Sequence, residues 1–364
     1  MESNNYVAKL REAERVVVVG AGGGGDVITA FIFCKTLEEF IGVRECLPLG
    51  VLWERWVVDP YPGPVPIASV RNARLSKCVW VSGDTYVVRG KYSFKPHTAY
   101  VAEKLKKEVP AVTLERSVGG VYECFEELVR GREAILINLD VGGDILAEGW
   151  EDNLWSPLAD SITLAATAKM KGLVGVSALG ADGELPQNIV LQKINEVISA
   201  GGYVGALGFW THHANLYEDL IDRVKTEASR APYLVLRGYV GTKEIRGGSR
   251  TIEVNALTLI TFLLKSESLM KMNKLAQAIS DTNSLAEAWS ISKRLGIPTE
   301  LDLEIAASKT YGVGPEASPD WVVVRSLIKN QPMLKNLITT NNEWGDRVAG
   351  WGSQVSPRGS YRPQ

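Results

Sequence analysis

Three aspartates stand out by their neighbours. Asp26 closes GAGGGGD after the valine run 16–19, and Asp140 and Asp144 bracket Gly142 and Gly143 in LDVGGD after a second apolar run that starts at Ala134. Carboxylates beside glycines at strand ends suit a hard divalent cation, because Mg²⁺ takes one or two carboxylates and fills its shell with phosphate oxygens and water. Gly22, Gly23, Gly24 and Gly25 would bring backbone N–H groups and a positive helix end up to an anion. Gly142 and Gly143 would let the second loop approach the same ligand. The expected site thus holds Mg²⁺ on Asp26, Asp140 and Asp144, with Asp140 and Asp144 catalytic and the six glycines and Asp26 on a nucleotide or other phosphorylated ligand. Each feature also has a plainer use, since aspartate caps helix N-termini and glycine serves tight turns.

Residues 20–25 satisfy GxGxxG between a strand and a helix, the context of a dinucleotide site. A run of glycines meets that pattern almost automatically. The acid that would hold a ribose is expected about 20 residues past the loop, whereas the acid at the end of the next strand is Glu54. Asp26 also stands where a pyrophosphate would lie, and the two charges repel unless a cation separates them. An NAD(P)-dependent oxidoreductase is therefore the lesser reading. A non-catalytic ligand sensor or assembly protein with the same pocket is another.

The elements that must position these residues follow from hydrophobic pattern. Continuous β-branched runs mark strands buried on both faces, as in a parallel sheet. Such runs occur at 16–19, 49–53, 111–114, 134–139, 173–178 and 203–209, with helical patterns at 26–40, 98–108, 120–130, 157–170, 186–200 and 213–229. Strict alternation predicts an α/β fold: a doubly wound, mostly parallel Rossmann-like sheet with helices on both faces. The prolines and glycine of residues 59–66 predict a rigid excursion. Residues 77–81 and 85–89 read as a hairpin around Ser82, Gly83 and Asp84. Residues 233–255 read as antiparallel strands extending a sheet edge, with Gly247 and Gly248 in a turn. Beyond Asn255 the pattern is mainly helical. The expected division is a ligand-binding α/β domain over 1–265, a helical extension packed on it over 266–350, and a disordered tail over 351–364.

Ligands in open α/β sheets bind at the carboxyl ends of strands, beside a switch in strand order. If the strands at 16–19 and 134–139 are neighbours there, the three aspartates converge. The same edge would carry Trp53, Glu54 and Arg55, then Asp182 and Glu184, then Trp210, His212 and His213. Glu151 and Asp152 are weaker candidates, as an acidic loop is often merely solvated. Arg237, Lys243, Arg246 and Arg250 could reach a phosphate, although a charged edge strand more often serves to block sheet-to-sheet pairing.

Composition narrows the classes. The 364 residues are 45% hydrophobic and 23% charged with a net charge of -2, ordinary globular values without the basic surplus of a nucleic-acid binder. The longest apolar runs, such as 256–264, are short of a membrane span, and residues 1–15 lack the apolar core of a secretory signal. Cys34, Cys46, Cys78 and Cys124 are irregularly spaced and read as free core thiols in a reducing, cytoplasmic setting. The composition leaves the oligomeric state open. No P-loop, zincin, α/β-hydrolase or zinc-finger motif is present.

GAGGGGDV, DVGGDIL with SPLADS soon after it, and the late YVGTKEIRGGSRTIEVNALT segment together resemble one family of archaeal and bacterial proteins classed as a domain of unknown function, over roughly residues 10–265. The resemblance implies an α/β protein and brings no activity, cofactor or catalytic residue with it.

Overall fold

The computed structural model describes residues 5–329. In chain order the elements are α1 (Tyr6–Glu12), β1 (Arg15–Gly20), α2 (Asp26–Thr36), β2 (Cys46–Val51), β3 (Val70–Leu75), β4 (Val79–Arg89), β5 (Tyr92–Phe94), α3 (His97–Leu105), β6 (Val109–Val112), α4 (Ser117–Val129) and β7 (Ala134–Val141). Then come α5 (Pro157–Lys169), β8 (Leu173–Ser177), α6 (Gln187–Ser199), β9 (Tyr203–Gly208), α7 (His213–Ile221), α8 (Arg230–Leu236), β10 (Gly241–Ile245), β11 (Arg250–Val254) and β12 (Ile260–Lys265). The chain continues through α9 (Ser266–Met270), α10 (Lys274–Ile279), α11 (Leu285–Leu295), α12 (Glu300–Tyr311) and α13 (Trp321–Lys329).

Ten strands form one sheet in the order β3-β4-β6-β2-β1-β7-β8-β12-β9, with β5 on β4. Its centre, β6-β2-β1-β7-β8, is parallel throughout. The chain winds outward from β1 in one direction to β6 and in the other to β8, so the switch in strand order falls between β1 and β7. The valines of β1 are buried on both faces: Val17 and Val19 belong to the core under α4, α5 and α6, while Val16 and Val18 belong to the core under α2, α3 and α7. A mostly parallel α/β sheet covered on both sides is thus the architecture.

The sheet margins differ from expectation in three places. Residues 77–89 do not make a hairpin: Ser82, Gly83 and Asp84 stay within the long strand β4, where residues 82–85 bulge opposite the single Asn72 of β3, which takes φ +55. Tyr233 is in α8, and β10 and β11 pair only with each other, so this hairpin does not extend the sheet. The antiparallel extension on that side comes from β12, which inserts between β8 and β9 although the residues beyond Asn255 read as helical. Its run ITFLLK is equally apolar on a helix or a strand, and only the open edge of β8 decides between them.

The cysteines are also not free. Cys34 of α2 bonds to Cys46 of β2 at a Cα separation of 5.2 Å, and Cys78 bonds to Cys124 of α4 at 4.8 Å. Sequence spacing carries no information about partners brought together by helix-on-sheet packing. No helix among the described residues is long and apolar enough to cross a membrane. The expected tail at 351–364 lies outside the described residues.

Helix α5 is enclosed on every side: all residues from Pro157 to Thr167 are buried, as an apolar helix without a polar face must be. It packs on α4, α9, α10, α11 and α12, and Leu269, Leu275, Ile279, Leu285 and Leu301 join the same core as Leu158 and Ile162. On the opposite margin, the excursion at 59–66 is pinned by Arg89, which donates to Asp59 and to the carbonyls of Gly63 (3.1 Å) and Pro62 (2.8 Å). Arg89→Ala strands Asp59 in the interior, and a loss of about 3–5 kcal/mol is expected for a broken buried pair. Chemical denaturation reads this, and an unchanged midpoint contradicts it.

Candidate functional site

The parallel register sets Gly20 beside Leu139, so the loops that follow β1 and β7 leave the sheet as neighbours. The next loop is tied to them as well: Gly142 N–H donates to Ser177 O (2.9 Å), and Gly180 N–H donates to Gly142 O (2.6 Å). A cavity of about 1010 Å³ opens over these strand ends, lined among others by Asp26, Asp140, Asp144, Asp160, Asp182 and Glu184. Strand neighbours at a switch point therefore bring the three aspartates of the sequence reading into one crevice.

Asp140, Asp144 and Asp160 form its tightest group. One carboxylate oxygen from each lies within 4.8 Å of the other two, and their exposures are 1, 5 and 1%. Their hydrogen bonds are few and long. Asp140 accepts from Ile145 N–H at 3.3 Å and Asp144 from Ser156 Oγ at 3.4 Å, while Asp160 Oδ1 is buried without a partner. Burial first, and then the neighbouring carboxylates, hold all three well above the ordinary aspartate range. Asp160 was missed as a candidate in the sequence, where it appears only inside SPLADS. Its signal is its place in the first turn of α5, whose N-terminal Pro157 and apolar body mark a buried helix pointing its positive end at the site.

The backbone there is supported by other acids, which leaves Asp160 uncommitted. Glu300 of α12 accepts from Leu158 and Ala159 N–H (3.0 and 2.7 Å), and Glu184 accepts from Trp155 N–H, Ser156 N–H and Ser156 Oγ (2.7, 3.0 and 2.6 Å). Glu304, one turn further along α12, accepts from Gly63 N–H (2.8 Å) and Trp53 Nε1 (3.0 Å). The late helices thus build one wall of the site, a contribution that a division of the chain at residue 265 hides.

Asp26 sits beside this group on the same cavity wall. Its Oδ2 accepts from Gly22 N–H at 3.0 Å, and burial outweighs that bond and Arg55 to push it up to about 7. It adjoins the cluster, because Asp26 Oδ2 and Asp160 Oδ2 lie 3.1 and 3.0 Å from where a Gly22 Cβ would be. It is not among the three whose oxygens converge on one point. The glycines are used by the protein itself. Gly23 takes φ +90 with its missing side chain against Trp53 O at 2.7 Å, and at Gly142, φ +138, a Cβ would run into Asp182. Thr226 fills the space beside Gly25, and Val190 that beside Gly143. Only Gly22, Gly23 and Gly25 of the six line the cavity, and Gly22 faces two carboxylates, so an anion reaches it only behind a cation.

The other candidates separate cleanly. Asp182 lines the cavity; its Oδ1 accepts from Glu184 N–H (2.7 Å), its Oδ2 is buried and unpartnered, and burial pushes it up to about 6. Arg55, Arg246 and Arg250 line it too, so two arginines of the late hairpin face the site rather than blunting an edge. Glu54 is buried against His97 and accepts its backbone N–H (2.8 Å), so it is not directed at a ribose. Trp210, His212 and His213 do not line the cavity: the histidines bind Glu39 and Trp210 stacks on Phe40. Glu39, His212 and His213 also have ligand atoms within 4.8 Å of one another. However, His213 Nδ1 accepts from Trp210 N–H (3.1 Å), which leaves the ring proton on Nε2, the nitrogen a metal would need. Glu151 is taken up by Glu148 N–H, Gly149 N–H and Lys193, Arg237 pairs with Glu218, and Asp152 and Lys243 are exposed.

Burial also pushes Glu300 up to about 7 and Glu304 up to about 8. The folded chain then holds these protons more tightly than the unfolded chain, whose glutamates titrate near 4.3. Stability of the metal-free protein is accordingly greatest at acid pH within this window and falls as pH rises through about 7 to 8. Melting temperatures in chelator between pH 6 and 8.5 should decline, with a shallower slope for Glu304→Gln. A melting temperature that rises over that range contradicts this reading.

No curated protein and no solved structure matches the chain. A family described as "Protein of unknown function (DUF1152)" matches residues 17–308, which include most of β1, both glycine loops and the acidic cluster, and the chain belongs to that family.

Proposed function

We propose that the crevice binds a divalent cation on Asp140, Asp144 and Asp160 and uses it to act on a phosphorylated metabolite, by phosphoryl transfer or hydrolysis. The observation that carries the reading is the convergence of three buried carboxylates, one with an unpartnered oxygen, at the carboxyl end of a parallel sheet. Three such groups repel one another, and a hard cation relieves that repulsion with the all-oxygen donors it prefers. Mg²⁺ is the expected ion, because it keeps open positions for substrate oxygens and water.

Reaction at such a site is mostly positioning and charge neutralisation. The cation would polarise the phosphoryl group and neutralise its charge. Arg55, which lies within electrostatic reach of Asp26, Asp144, Glu184 and Glu300, supplies a second positive group above the cluster. Asp182, with its free Oδ2, is placed to take a proton from an attacking water or hydroxyl. Asp26 holds the first loop through Gly22.

Isothermal titration of the purified chain with Mn²⁺ at pH 8 should show one ion per chain. Asp160→Asn should weaken it by at least about ten-fold, since even residues behind metal ligands are worth that much. Because bound carboxylates must give up their protons, the cation should raise the melting temperature more at pH 8 than at pH 6. A Mg²⁺-dependent release of phosphate from a panel of phosphorylated metabolites, lost in Asp140→Asn, tests the catalytic part. Absence of Mn²⁺ binding, or binding indifferent to Asp160→Asn, removes the reading.

A further inference from the structure

Five arginines border the cavity; Arg230 is held by Ile221 O and Asp222, and the other four are not explained by packing alone. Arg55 follows β2, Arg246 and Arg250 come from the β10–β11 hairpin, and Arg325 comes from α13. Arg55 and Arg325 make no side-chain hydrogen bond or ion pair among the described residues. Arg250 meets Glu184 at 3.3 Å and the carbonyls of Asp182 and Asn153 at 3.4 Å, and Arg246 meets Glu227 at 3.5 Å. Half-buried arginines with partners this few or this distant leave strong planar donors available, and guanidinium donors match phosphate oxygens.

All four lie within reach of Glu184: Arg250 pairs with it, and it acts electrostatically on Arg55, Arg246 and Arg325. They therefore gather along the wall of the cavity beside the aspartates. Arg250 and Arg325, with Trp155 and Ser249, also line a second cavity of about 300 Å³ whose other walls include Asn153, Asn188 and Thr251. One phosphate next to a cation needs one or two such donors. Four that share one glutamate and continue into a second cavity fit a longer anion.

We infer that the ligand carries a diphosphate: one phosphate between the cation and Arg55, the next along Arg246, Arg250 and Arg325, with any organic remainder directed into the second cavity. This rests on the cation reading of the same crevice. The shared chemistry is the phosphoanhydride, whether from inorganic pyrophosphate or from a nucleoside diphosphate.

The test titrates the full-length, Mg²⁺-saturated chain calorimetrically with the magnesium complexes of inorganic phosphate, pyrophosphate and ADP. Pyrophosphate or ADP should bind at least about ten-fold tighter than phosphate, from the added charge-assisted hydrogen bonds. Arg250→Ala and Arg325→Ala should each erase most of that preference while the chain still binds one Mn²⁺. Arg325 makes no hydrogen bond or ion pair among the described residues, so its variant keeps the test readable if Arg250→Ala misfolds. ADP above pyrophosphate supports the proposal with a nucleoside in the second cavity; pyrophosphate above ADP supports it with the inorganic ion. Equal affinity for phosphate and pyrophosphate, or a preference that survives both substitutions, overturns it. Failure of the wild type to bind Mn²⁺ overturns the cation reading instead, and the arginine wall is then judged from the same titrations without metal.

Discussion

Like charge forced together out of water is the constraint around which this molecule is arranged. A lone carboxylate in the interior costs several kcal/mol unless it is paired, hydrogen-bonded or protonated. Here Asp140, Asp144 and Asp160 share one point, with Asp26, Asp182, Glu184 and Glu300 on the same walls. Some of that charge is absorbed by structure. Glu184 and Glu300 accept the backbone N–H groups ahead of and within the first turn of α5, where the helix end is positive. Arg250 and Arg55 offset more of it. What is left falls on the three aspartates, and either protons or a cation must carry it. Those two alternatives give opposite responses to pH, which ties an electrostatic statement about the folded chain to a statement about function.

The fold exists in a form that makes this concentration possible. Two parallel strands from different parts of the chain, β1 and β7, meet at the switch in strand order, and their loops must then share the space above the sheet. Helix α5 enters that space nose first because its body is buried throughout and is enclosed by α4 and the late helices. Asn273 fastens this arrangement: it caps α10 through Ala276 N–H (2.8 Å) and donates to Ile145 O (3.3 Å) in the loop after β7. The C-terminal helices therefore shape the crevice directly, through Glu300, Glu304 and Arg325, rather than standing beside it.

Much of this was legible in the amino-acid sequence where pattern is local. The valine run of β1 and the apolar run of β7 marked strands covered on both faces, and strict alternation implied the parallel sheet and its switch point. The pairing of Asp26 with Asp140 and Asp144 in one crevice followed from that topology alone. What escaped was long-range. Asp160 lies in a turn that resembles any helix start, and its value depends on which loops face it. Glu300, Glu304 and Arg325 belong to helices whose docking onto α5 has no local signature. The strand β12 is chosen by the open edge of β8, and the cysteine partners are chosen by the seat of α2 on β2 and of α4 beside Cys78. The glycines mark close approach, and among the groups that approach them are Trp53, Thr226 and Asp182 of the chain itself, which no local pattern could name.

Anomalous diffraction from crystals soaked in Mn²⁺ at pH 8 is the most direct measurement of the central claim. The account predicts a single dominant peak lying about 2.0–2.3 Å from oxygens of Asp140, Asp144 and Asp160, within the range of hard-cation bonds to carboxylate oxygen. A crevice that stays empty at saturating Mn²⁺, or a sole peak at Glu39, His212 and His213, would contradict it.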